Sequence, residues 1–248
     1  KLGNGKQPSA WVLKDGAGRV VRKFHDSTGD NKVNMWSYYR DGEEAYREVD
    51  TNGNQVPDQF RWLGPNGSKW GVDSNEDGRI DSWTVISAEE VSQEILAAVV
   101  TRDFKRLDSL MLTKSDIDFL GLPPAEVVRL KEKMDAAGQQ FQKTTAELIK
   151  LTDKTQWVHL ETKVPQTIPA DLIGSKADVV RYKHATILYQ DGDGKEAKHN
   201  WLQTGEMIQV GKAWRVVQAP VPGVHVEESS GSREEDRVLI PKGAEQLI

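Results

Sequence analysis

Short aromatic-rich arms, separated by polar stretches of Asp, Asn, Ser and Gly, run through the first third of the chain. Segments 36–50 and 60–73 each fold back about a Gly-containing dipeptide, Asp41-Gly42 or Asn66-Gly67, and 11–26 does the same about Asp15-Gly16. Such dipeptides accept the positive φ of tight hairpin turns, so the pattern predicts successive short hairpins. The character changes at Ser87. Ser87 and Glu90 stand at the spacing of a capping box, and Val91, Ile95, Ala98 and Val99 then fall on one helical face. A second short helix is predicted over 103–111. A longer one should open at Pro123-Pro124, with apolar positions from Val127 to Leu151 and a break at Gly138. From Gln156 the period becomes two, and 157–164, 179–189, 199–210 and 214–219 read as strands.

This pattern predicts a mixed fold: a short β-hairpin repeat array with acidic loops over residues 1–86, then an α+β domain of helices and antiparallel sheet over 87–222. Residues 223–248 form a linker or tail, because 227–236 (EESSGSREED) are polar and poor in apolar side chains.

The first third repeats itself. Asp26, Asp50 and Asp73 align, a second column follows at Asp30, Asn54 and Asp77, and a third at Asn34, Asp58 and Asp81. An aromatic residue stands two positions after the third column in every copy, at Trp36, Phe60 and Trp83. Three oxygen-bearing columns and one aromatic column at near-constant spacing indicate a structural repeat.

The chemistry of these columns points to a hard cation. Calcium takes about six to eight oxygens, which a short loop supplies when carboxylates and amides alternate along a Gly-kinked backbone. The third loop does this best, with Asp73, Asn75, Asp77 and Asp81, the carbonyl of Arg79 and a glycine at its sixth position. The second loop, with Asp50, Asn52, Asn54 and Asp58, has fewer charges, and the first, with Asp26, Asp30 and Asn34, is weaker still. The expected order of affinity is therefore third, second, first. Asp, Asn and Gly also recur wherever turns do, so a turn without metal is the competing reading.

The third loop resembles an EF-hand loop up to its ninth position, but Thr84 stands where the closing Glu would be. It is closer to the D-x-N/D-x-D-G-x-x-D loops of thrombospondin type 3 repeats, a resemblance that implies structural calcium and an exported protein. The segment EEVSQEILAAVVTRDFKRLDSLML and the closing VGKAWRVV resemble the nuclear transport factor two-like superfamily, which implies a cone-shaped cavity used for binding, dimerisation or catalysis. Taken with WGVDSNEDGRIDSW and ISAEEVSQEI, the whole order resembles the region ahead of a thioredoxin-like redoxin domain in exported bacterial proteins. That resemblance implies a partner in a C-terminal domain of the same polypeptide. A start at Lys1 is expected of a processed or excised chain.

Strand alternation nominates His159, Glu161, Tyr182 and His184 as a ligand pocket, with Trp157, His199 and Trp201 beside it. An imidazole near a carboxylate can act as a general base. Lone His and Tyr on strands are more often surface or core residues, and no HExxH, GxSxG or phosphate-cradling glycine loop is present, so no catalytic residue is assigned.

Composition narrows the field further. A net charge of −5 without a concentrated basic face argues against a nucleic-acid partner. No apolar run approaches the roughly 20 residues of a membrane span. The chain has no cysteine, which removes disulfides and thiol chemistry. The expectation is a non-enzymatic, extracytoplasmic calcium-binding scaffold or interaction module. The alternative is a small-molecule-binding or catalytic cone domain with a structural N-terminal array.

Overall fold

The structure is a computed structural model that describes residues 9–64, 67–192 and 197–223. The fold is mixed and dominated by strands, with six helices among the described residues. Two compact units divide between Ser87 and Ala88. The expected linker beyond Gly223 and the turn residue Asn66 lie outside the described residues.

The first unit contains β1 (Ser9–Lys14), β2 (Val20–Asp26), β3 (Met35–Arg40), β4 (Glu43–Val49), β5 (Gln59–Gly64), β6 (Gly67–Val72) and β7 (Ser82–Ile86). Each strand pairs antiparallel with the one before it. With this order, the tight turns fall at one end of the sheet and the acidic segments 26–34, 50–58 and 73–81 at the other. At the turn end, Asp41 (φ 52) and Gly42 (φ 88) both take the positive φ that the dipeptide predicts.

Register then gathers the aromatic residues. Trp11, Phe24, Trp36, Glu48, Phe60, Gly71 and Trp83 are successive cross-strand partners and share one face. The next row on that face carries Tyr38, Tyr46 and Trp62. Ring centroids lie 5.5 Å apart from Tyr38 to Tyr46 and from Tyr46 to Trp62, then 5.7 Å from Trp62 to Trp83. Arg22 lies over Tyr38 and Lys69 over both Trp62 and Trp83. Aromatic cross-strand pairs of this kind contribute about 0.5–1.5 kcal/mol each beyond the area they bury.

In the second unit α1 (Ala88–Thr101) buries Val91, Ile95, Ala98 and Val99, the face that its spacing predicts. The short helix over 103–111 is α2 (Phe104–Asp108), whose N-cap Asp103 accepts from the N–H of Arg106. A helix not anticipated, α3 (Lys114–Leu120), is set by a capping box between Thr113 and Asp116 and closed by Gly121 at φ 60. The long helix divides into α4 (Pro124–Asp135) and α5 (Ala137–Glu147), and the break falls at Ala136 rather than Gly138.

Strands β8 (Gln156–Thr162), β11 (Ala185–Asp191), β12 (Lys198–Gln203) and β15 (Val221–Gly223) form one antiparallel sheet in the order β15-β12-β11-β8. Strands β9 (Gln166–Ile168), β10 (Val179–Tyr182), β13 (Met207–Val210) and β14 (Lys212–Val216) pair separately as β14-β13-β10-β9. A short α6 (Ala170–Ile173) joins β9 to β10. The expected strands 179–189 and 199–210 are therefore each cut in two, and each half joins a different sheet. Gly205, at φ 78, supplies the second bend, and the N–H and hydroxyl of Thr204 both donate to the carbonyl of Ala185 across it. Leu112, Ile117, Leu120, Leu122, Leu130, Ile168, Val179, Ile208 and Val217 form a buried cluster that joins α3 and α4 to β9, β10 and β13.

Candidate functional site

Each acidic loop is closed at its base by one backbone bond: Asn34 to the carbonyl of His25, Asp58 to Val49 and Asp81 to Val72. Its first aspartate is then buried and turned inward. Asp26 accepts from the N–H of Gly29 (2.6 Å) and Asn31 (2.8 Å), and Asp50 from Gly53 (2.7 Å) and Gln55 (2.8 Å). Asp73 accepts from Asp77 (3.2 Å) and Gly78 (2.8 Å). Burial alone would raise the Asp26 carboxyl, but the hydrogen bonds from Gly29 and Asn31 outweigh it and hold the group below the usual carboxylate range.

The second and third columns close the ring. Asp30 accepts from the N–H of Lys32, Asn54 from Val56 and Asp77 from Arg79. Asn34, Asp58 and Asp81 each accept both the N–H and the hydroxyl of the residue that follows the first aspartate, namely Ser27, Thr51 and Ser74. This Ser/Thr column is a fourth matched position in the repeat, legible in the sequence as a hydroxyl residue after each first aspartate. The fourth and sixth loop positions have positive φ in all three copies: Gly29 and Asn31, Gly53 and Gln55, Glu76 and Gly78.

Neighbouring loops are also joined to one another. The N–H of Asp50 donates to the carbonyl of Asn34, and that of Asp73 to the carbonyl of Asp58. Glu76 of the third loop accepts from the side-chain amides of Asn52 (2.7 Å) and Asn54 (2.7 and 2.8 Å) in the second. Between the first and second loops lies a cavity of about 200 Å³ lined by Thr28, Asp30, Lys32, Asn34 and residues 50–53.

Among the described residues, no group of three or more His, Asp or Glu side chains already converges as a metal-binding cluster. One observation nevertheless fits a cation. Asp58 is buried at 6% exposure, and its Oδ1 has no hydrogen-bond partner. No protein-family model, curated protein or solved structure matches this chain. Its own geometry therefore carries the functional argument.

The pocket residues nominated in the second unit are dispersed. His159 and Glu161 are exposed on β8, and His184 is exposed between β10 and β11. Tyr182 lies in the other sheet, on β10, where its ring stacks on Trp214 at 4.6 Å. Trp157 donates from Nε1 to the hydroxyl of Ser92 on α1.

The strongest electrostatic feature of this unit was not anticipated. Glu206 is buried and accepts from Arg129 (2.7 and 2.9 Å), Arg181 (3.0 Å) and Lys133 (3.4 Å), while Arg129 also donates to the buried Glu126. Only the Glu126 and Arg129 pair had a local signal, its spacing along a helix.

Proposed function

We propose that this protein is a non-enzymatic scaffold or interaction module of the extracytoplasmic space, and that its first unit is a repeat array stabilised by calcium. The observation that supports this most directly is the assembly of three loops at one end of the sheet. Each loop begins with a buried aspartate and carries oxygen-bearing side chains at matched positions. In the third loop Asp73, Asn75 and Asp77 all accept backbone N–H bonds from the same short segment, so their oxygens crowd one turn. With Asp81 and the carbonyl of Arg79 they make up an oxygen set suited to a hard cation. Without a closing bidentate Glu, the affinity belongs near the ~10⁻⁴ to 10⁻³ M range of extracellular modules.

The second unit is read as a nuclear transport factor two-like cone, on the order of helices α1 to α5 followed by antiparallel strands, with Trp214 on β14. Its role is to bind a partner protein or a further domain of the same polypeptide. The alternative, a small-molecule or catalytic cone, needs His159, Glu161, Tyr182 and His184 around one cavity. The exposure of three of them gives it no support.

Calcium titration of the full chain tests the array. Calcium should raise the melting temperature and change tryptophan emission, because Trp83 lies two residues beyond Asp81. Asp73→Ala combined with Asp77→Ala should remove the third-loop response, and magnesium should do less because it demands tighter octahedral geometry. If millimolar calcium changes neither signal, the loops are hydrogen-bonded turns and the calcium reading fails.

A further inference from the structure

The three loops are not equivalent in how they satisfy their ninth residue. In the third loop Asp81 takes backbone and hydroxyl donors from Ser74 on one oxygen, and the side-chain amide of Asn75 at 3.5 Å on the other. In the first loop the ninth residue is Asn34, whose Oδ1 accepts from Ser27 and whose own amide donates to Thr28 at 3.5 Å. In the second loop Asp58 Oδ2 takes the N–H and hydroxyl of Thr51, but Oδ1 receives nothing and is shut off from solvent.

The missing donor can be traced. Asn52 occupies the place of Asn75, yet its amide donates outward to Glu76 instead of inward to Asp58. Asn54 does the same. With both amide nitrogens held by Glu76, both amide oxygens stay on the loop side, where they accept from the N–H of Asn54 and of Val56. Asp58 also sits opposite Asp73 at the end of the β5–β6 register, and Asp73 is buried at 1% exposure. Two carboxylates directly opposite on one face of a sheet repel, and an unpaired buried carboxylate oxygen is costly to leave unmatched.

We infer that the second loop holds a divalent cation of its own, calcium by its all-oxygen surroundings, with Asp58 Oδ1 as a direct ligand. Asp50, Asn52 and Asn54 supply further oxygens. Glu76, from the neighbouring loop, is a positioning residue that fixes the orientation of the two amides. Ligand charge alone ranks the third loop first; the unmatched oxygen singles out the second. This inference rests on the calcium reading of the array and adds a separate site to it.

The test counts calcium bound per full-length chain by equilibrium dialysis, with melting temperatures measured with and without calcium. Asp58→Asn keeps an acceptor for Thr51 and puts an amide where the unmatched oxygen stood. It should remove one bound calcium, or weaken that site by at least about tenfold, since affinity follows ligand charge. Its melting temperature without calcium should be equal to or higher than that of the parent. Glu76→Gly, which copies the glycine at this position in the other two loops, should weaken the same site several-fold without abolishing it. Asp77→Asn should leave the site intact. If Asp58→Asn binds as many calcium ions as tightly as the parent, or does not fold while Glu76→Gly binds unchanged, the second-loop site is overturned. In either case, loss of bound calcium in Asp77→Asn would leave the wider reading standing. A parent chain that binds no calcium at millimolar concentration would overturn both.

Discussion

Glu206 shows how much one buried charge can decide. Burial pushes its carboxyl up, but the hydrogen bonds and charge of Arg129, with the charges of Arg181 and Lys133, outweigh that effect and hold it below the usual range. A carboxylate whose folded-state pKa is lowered stabilises the fold above its unfolded value. The contribution is lost as pH falls through the folded value. Glu206→Gln should therefore cost about 3–5 kcal/mol near neutral pH, because it leaves Arg181 buried without its main counter-charge. The deficit relative to the parent should shrink in acid, where the parent loses the same charge. Urea unfolding midpoints at neutral pH and near pH 3 check this, and an equal deficit at both would show that packing, not charge, holds the site.

Within the first unit, the elements constrain one another through shape as well as hydrogen bonds. Gly71 on β6 lies in the row of aromatic residues between Phe60 and Trp83, and a Cβ there would come within 2.8 Å of Ile80, the apolar residue of the third loop. The glycine is required by close approach. Its φ is not in the left-handed region, so an alanine is opposed by the nearby isoleucine rather than by backbone strain. Gly71→Ala should destabilise the unit by about 1–3 kcal/mol through overpacking, and Ile80→Ala added to it should recover part of the loss. Thermal melts of the two single variants and the double variant make the cycle, and strict additivity would show that the two side chains do not meet.

At the scale of the whole molecule, the two units carry different spectroscopic labels. All helices among the described residues lie beyond Ser87, so helical circular dichroism reports the second unit. Trp11, Trp36, Trp62, Trp70 and Trp83 weight tryptophan emission toward the first. Calcium acts on the loops of the first unit under the proposed function. It should shift the melt followed by emission, and leave the melt followed by circular dichroism where it was. A coincident shift in both would show that the chain unfolds as one cooperative body.

The Asp41-Gly42 turn and the buried face of α1 could be read in the chain because each depends on near neighbours. A positive-φ dipeptide, an i, i+4 apolar spacing or a recurring aspartate carries its own physical reason. Three aspartates at matched positions were visible in the same way. What tertiary structure decided is which partners those groups meet. The division of 179–189 and 199–210 between two sheets follows from pairing with strands far away in sequence, which period-two alternation does not encode. The Glu126 and Arg129 pair of α4, Arg181 and Glu206 lie far apart along the chain and form one network only once α4, β10 and β13 are assembled. The contrast among the loops has the same origin. Asp58 and Asp81 fill the same column, and only the reach of Glu76 across to Asn52 and Asn54 leaves an oxygen of Asp58 unmatched, because a side-chain amide can face only one way at a time.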